Sequence, residues 1–144
     1  MNLHAQWIIG FIDGKGFFNI HTRKNTQEVC GIEIISEFVV VLPQKDIQVL
    51  YALKSYFGCG VVKNNSFVIK NRKHLYDKII PFFEKHKLLT KKRIDFEKFR
   101  FVVKFMIEKK HFTGNIDQDL ENLKDFKDLG ELKKCLLYFE NANK

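Results

Sequence analysis

The 144 residues include 25 Lys+Arg against 17 Asp+Glu, a net charge of +8, and 45% are hydrophobic, with 15 Phe among them. That content supplies one buried core and excludes wholesale disorder. Two Pro and eight Gly leave no low-complexity linker, and no apolar run approaches the ~18 residues of a membrane span, so no membrane partner is expected.

In chain order, Leu3 to Asp13 places Trp7, Ile8, Phe11 and Ile12 at helical spacing, and Gly14 and Gly16 are expected to end the helix in left-handed backbone. Phe17 to Lys24 alternates, with Phe18 and Ile20 on one face and Asn19, His21 and Arg23 on the other. Gly31 to Leu42 reads as a long strand, apolar on both sides apart from Glu33, Ser36 and Glu37, and Pro43 stops it. Lys45 to Phe57 is amphipathic, with Ile47, Leu50 and Leu53 inward, and Gly58-Cys59-Gly60 turns it into two short strands, Val61 to Asn64 and Phe67 to Lys70, joined at Asn64-Asn65. His74 to His86 predicts a helix that Pro81 kinks or divides, and Lys92 to Lys109 another with Phe96, Phe99, Val103 and Ile107 on one stripe. Two weaker helices follow, over Ile116 to Phe126 and Leu129 to Phe139.

Charge is uneven along the chain. Residues 115–144 hold seven acids and five lysines, so residues 1–114 carry the balance of +10. The expected organisation is a basic domain over 1–114 and a helical, mildly acidic extension over 115–144. A field of that sign attracts polyanions and favours nucleic acid as partner. Cys30, Cys59 and Cys135 form no C-x-x-C pair and read as reduced core residues. His4, His74, His86 and His111 show no metal-ligand spacing. No Arg-rich, acid-poor presequence precedes Trp7, so a chain working in an organelle is expected to be made there or to have lost a leader. Abundant Lys, Asn, Ile and Phe suit AT-rich coding, of which organelle genomes are one source; the mitochondrion is favoured, with the chloroplast as alternative.

Ile8-Ile9-Gly10-Phe11-Ile12-Asp13-Gly14-Lys15-Gly16 followed by Phe17-Phe18 resembles the signature of the LAGLIDADG homing endonucleases. The similarity continues through Glu37-Phe38, Lys45-Asp46, Phe57-Gly58-Cys59-Gly60, Asp77 to Phe83, Lys92, Asp95-Phe96 and Lys110 to Thr113, over roughly residues 3 to 115. The resemblance implies an α+β fold, an α-β-β-α-β-β-α saddle whose four-stranded antiparallel sheet lies along a nucleic-acid groove, here with C-terminal helices added. It also implies that the signature helix packs against a second copy of itself. Gly10 and Gly14, one turn apart, admit a close helix, with Trp7 and Phe11 beside them as the rest of that interface. One signature in one chain calls for a homodimer or for a second protein on the same helix.

In this family the last acidic residue of the signature helix holds divalent metal beside the scissile phosphates. Here that residue is Lys15. An ammonium has no lone pair for Mg²⁺ and opposes it by about 4 kcal/mol per unit charge at ~4 Å and an effective dielectric near 20. Asp13 cannot substitute, because two residues turn a helix by about 200°; it is expected to accept hydrogen bonds near the helix end. The family also carries a water-ordering Gln at the end of the second strand, and the alignment puts Leu42 there. The basic residue that polarises water near the phosphate is retained as Lys92. No catalytic residue is therefore expected, no metal site, and no cofactor, with Mg²⁺ required only if endonuclease chemistry is kept.

The expected binding surface is the polar sheet face, Asn19, His21 and Arg23 with Lys63, Ser66 and Lys70, joined by Lys15 as a phosphate partner and by Lys92. Glu33 and Glu37 bring acid toward that face. A second basic strip, Lys87, Lys91, Arg93, Lys98, Arg100, Lys104, Lys109 and Lys110, surrounds the later helices. Two active-site losses point to a non-catalytic nucleic-acid-binding protein, RNA favoured over DNA, within an organellar ribonucleoprotein such as a ribosome or as a splicing maturase. The alternatives are a homodimeric, Mg²⁺-dependent, site-specific DNA homing endonuclease, and an adaptor that grips another protein through the signature helix.

Overall fold

A computed structural model describes residues 2–24, 32–108 and 126–142. The elements are helix α1 (Ala5–Lys15), strands β1 (Gly16–Lys24) and β2 (Ile32–Val41), a 3₁₀ turn (Gln44–Asp46), α2 (Ile47–Phe57), β3 (Val61–Lys63), β4 (Ser66–Ile69), α3 (Arg72–His74), α4 (Ile80–Lys85), α5 (Lys92–Glu108) and α6 (Phe126–Ala142). The four strands form one antiparallel sheet in the order β1-β2-β4-β3. The expected α+β saddle is this fold. The helix anticipated over 116–126 and the segment 110–113 lie outside the described residues, Phe126 apart.

Strand alternation sets the layers. Phe18 and Ile20 of β1, Ser36, Phe38 and Val40 of β2, and Phe67 and Ile69 of β4 all turn to the face covered by α2, α5 and α6. Phe18 is the hub, its ring centroid 5.1 to 5.4 Å from those of Phe38, Phe83, Phe96 and Phe99. Buried aromatic clusters of this kind contribute most of the stabilisation of a small domain, about 3–5 kcal/mol for each Phe lost to Ala. Leu132, Cys135 and Phe139 of α6 join the same core. Tyr138 donates a hydrogen bond to Asp95 Oδ1, and Lys98 Nζ stands 4.9 Å from its ring centre, which ties α6 to α5. Burial and that carboxylate push the Tyr138 phenol up to about 12.

Three local expectations are corrected. Gly14 lies within α1, and Gly16 is extended at φ −92°, so neither is left-handed. The helix runs directly into β1, and Gly16 is needed for space, since a Cβ there would lie 2.9 Å from Ile12 Cγ2. Left-handed backbone occurs instead at Gly58 (φ +70°), Gly60 (φ +94°) and Asn64 (φ +56°). The long strand ends at Val41, and Leu42 gives its backbone N–H to Asn65 O. The helix expected from His74 starts at Arg72, capped by Asn71, whose side chain accepts from His74 N at 3.1 Å. A π-helical segment, Leu75–Ile79, separates α3 from α4, and Pro81 lies in the first turn of α4, where its missing N–H costs least.

Candidate nucleic-acid interface

The end of α1 is built around Asp13. Its carboxylate accepts from Leu89 N at 3.0 Å, Thr90 N at 3.3 Å and Thr90 Oγ1 at 2.6 Å. Burial opposes its ionisation, but these bonds and the charge of Lys92 outweigh that and leave the carboxyl below its ordinary value. The structural role expected of Asp13 is the one it has. Lys92, at the start of α5, donates to Gly16 O, one residue beyond Lys15. Desolvation draws its ammonium below the usual lysine range, against the pull of Asp13 and Asp95. Lys15 itself ends α1 exposed to solvent. Lys15 and the retained Lys92 thus both stand where helix passes into sheet.

This end does not fit a divalent metal held by the chain alone. Lys15 offers no oxygen, the Asp13 oxygens are occupied by the 89–90 backbone, and among the described residues no group of three His, Cys, Asp or Glu side chains is arranged to hold one.

Leu42 requires a correction. It is 5% exposed and belongs to the core, where a polar amide would be buried. The exposed amide at this strand end is Gln44, which opens the 3₁₀ turn just past Pro43. The inward face of β2 continues through Leu42. Leu42 therefore serves the core.

The sheet face away from the core holds all six residues expected there. Asn19 and His21 lie opposite Glu37 and Ile35, Arg23 opposite Glu33, and Lys63 opposite Ser66, with Lys70 just beyond β4. Glu37 sits at the centre of this face and was not foreseen as an organiser. Its Oε1 accepts from Asn19 Nδ2 at 3.0 Å and lies 3.9 Å from His21 Nδ1, while its Oε2 lies 3.9 Å from Lys70 Nζ. One acid thereby holds three of the polar residues in a fixed array. The signal in the sequence was its parity with Ile35 and Val39, which puts it on the polar face.

The outward face of α1 carries Trp7 (45% exposed), Gly10, Phe11 and Gly14. The Trp7 and Phe11 rings stack at 4.8 Å. A Cβ added at Gly10 or Gly14 would meet nothing within 4 Å. Among the described residues nothing lies against these two glycines.

An α-β-β-α-β-β-α saddle with a glycine-faced first helix is the architecture of one class of nuclease, and the family model described as LAGLIDADG endonuclease matches residues 8–103. The chain belongs to that family. It is 32% identical over 130 residues to probable intron-encoded endonuclease 2 of Neurospora crassa, covering 85% of this chain and 27% of that protein. DNA endonuclease I-CeuI of Chlamydomonas moewusii is 29% identical over 124 residues, 81% of this chain and 56% of that protein. Among solved structures, the homing endonuclease I-TnaI superposes with a TM-score of 0.73 at 36% identity, covering 96% of this chain and 99% of that one. I-SmaMI bound to an uncleaved DNA target in the presence of calcium ions gives 0.80 at 29% identity, covering 97% of this chain and 46% of that one. The chain thus spans from about a quarter to just over half of these curated relatives. The preference for RNA over DNA finds no support among them.

Proposed function

We propose that the chain works on double-stranded DNA as a homing-endonuclease module. It lays the Asn19–Arg23, Glu37 and Lys63–Lys70 face across the duplex, and it pairs through Trp7, Gly10, Phe11 and Gly14 with a second copy or a second such module. The observation that carries this reading is the shared placement of its parts. The glycine-bearing helix face, the two cations at Lys15 and Lys92, and the polar sheet face adjoin one another at the α1–β1 junction. The DNA-bound relative supports DNA over RNA. Relatives named as intron-encoded, together with the abundance of Lys, Asn, Ile and Phe, support an organellar genome as source, the mitochondrion favoured. Residues 1–114 hold the module in this reading, and 115–144 extend it.

Lys15 favours a second reading in which the module binds its target without cutting. An ammonium there pairs with a phosphate where an acid would have held metal. The deciding experiment incubates the purified protein with Mg²⁺ and DNA carrying the uninterrupted host site. Double-strand cuts or nicks at one position establish the endonuclease; tight, site-specific binding without them establishes the binder. Absence of sequence-specific duplex binding overturns both.

A further inference from the structure

The sheet face away from the core is polar along part of its length only. Phe17 stands opposite Val39, Val39 opposite Val68, and Val68 opposite Val61. Four apolar side chains thus make one row across all four strands on the outward side. Phe17 is 42% exposed and Val61 60%, and Val39, although buried, stands apart from the core cluster. Val41 is the apolar member of the next row toward α1, which continues through Ser66 and Lys63. On the other side comes the row of Asn19 and Glu37, whose carboxylate lies 3.9 Å from Lys70 Nζ.

The row runs against the pattern of a sheet face meant for water, where these positions carry polar side chains. A phenylalanine and valines aligned on an exposed face mark a surface that something apolar covers. Lys63 on one side of the row and Lys70 on the other frame it with positive charge. Its occupant therefore presents apolar groups inside an anionic frame.

We propose that the Phe17-Val39-Val68-Val61 row selects thymine in the target duplex by packing on its C5-methyl group, an inference that rests on the DNA-binding reading above and names the base this part of the face prefers. Thymine alone among the four bases presents a methyl group in the major groove. The other bases offer donors and acceptors there, which an apolar row would strip of water and leave unpaired. The dimensions agree. Four strands at ~4.8 Å spacing are about 14 Å across, which suits the ~12 Å major groove and not the ~6 Å minor groove, where no methyl group lies. Outward rows follow one another at about 6.7 Å along the strands, near two base-pair steps. With the strands following the groove, the thymine falls about two steps from the base pair that meets Asn19 and Glu37, on the side toward the end of α1. 5-Methylcytosine carries the same methyl group, so the row favours it over cytosine.

The test selects duplexes from a randomised library with the purified protein and then replaces each thymine of the preferred site by deoxyuridine, which removes the methyl group and keeps the base pair. At the position facing the row, deoxyuridine is expected to weaken binding about fourfold, the worth of one buried carbon. Cytosine placed there is expected to bind more weakly still, and 5-methylcytosine to recover about fourfold over cytosine. The Phe17→Ser/Val61→Ser double variant is expected to bind the thymine and deoxyuridine duplexes equally. Tight wild-type binding that no deoxyuridine weakens overturns the thymine assignment and leaves the DNA reading standing. A deoxyuridine effect that persists undiminished in the double variant places the methyl contact elsewhere and overturns the role of the row. A double variant that sediments as a monomer where the wild type is a dimer assigns the row to a second copy of the chain and overturns it as well. Failure of the wild type to select any duplex overturns the DNA reading and this inference with it.

Discussion

The two ends of β1 contrast. At the Gly16 end two charged side chains hold backbone: Asp13 holds the 89–90 segment, and Lys92 holds Gly16 O. At the Arg23 end four cations line one cavity, and the buried Ser36 hydroxyl has no hydrogen-bond partner among the described residues. At the first, Asp13 and Lys92 serve position while Lys15 stands exposed. At the second, Lys70 lies 3.9 Å from Glu37 and Arg72 is anchored to Ile34 O.

The largest break in that contrast is expected from Lys15→Glu, which returns a carboxylate to the Gly16 end. Mg²⁺-dependent cleavage is then expected to rise about 10²–10³-fold in single-turnover assays. No gain would mean that a second defect lies elsewhere. In that background Lys92→Met is expected to lower cleavage about 10²-fold, because a positioned proton or charge donor next to the phosphate is lost. Gly14→Leu separates fold from assembly. The added side chain meets nothing within the chain, so Tm should hold or rise by an amount corresponding to about 1 kcal/mol, while sedimentation moves from dimer to monomer and duplex affinity falls at least tenfold. A dimer that survives Gly14→Leu rules out pairing through this face. Asp13→Asn is expected to cost about 1–2 kcal/mol of stability near neutral pH. Because the folded carboxyl lies below its ordinary value, that stability is present above the ordinary carboxylate range and is lost as pH falls through the lowered folded-state value. The wild type should weaken in acid and the variant should show a flatter profile, read by urea denaturation. Tyr138→Phe is expected to have the smallest effect, about 1 kcal/mol, through the lost bond to Asp95.

Much of this was legible in the sequence, because alternation and helical spacing report which way each side chain faces. Phe18 and Ile20 inward, Asn19 and His21 outward, and the hairpin at Asn64 all follow from period and turn chemistry. What escaped depends on how distant segments meet. Periodicity does not give the register between β2 and β4, so neither the end of that pairing at Ile69 nor the reach of Arg72 to Ile34 could be read from it. Glu37 read as an isolated acid until the pairing with Asn19 made it a centre. The burial of Leu42 has the same root: an alignment counts residues, whereas a pleat decides which of them face out. One local cue was present, the run Lys70-Asn71-Arg72-Lys73-His74, which carries no acid.

The position of α6 has a consequence for the life of the chain outside its native state. β1 is an edge strand of nine residues, and α6 packs against it while Leu132, Cys135 and Phe139 close the core. A chain cut after Glu108 keeps its signature helix and its sheet face yet bares an apolar seam beside an unpaired strand edge. Strand edges of that kind recruit one another. The C-terminal helix is therefore a guard against aggregation, and proteolysis between α5 and α6 is expected to produce insoluble material before it produces an inactive fragment.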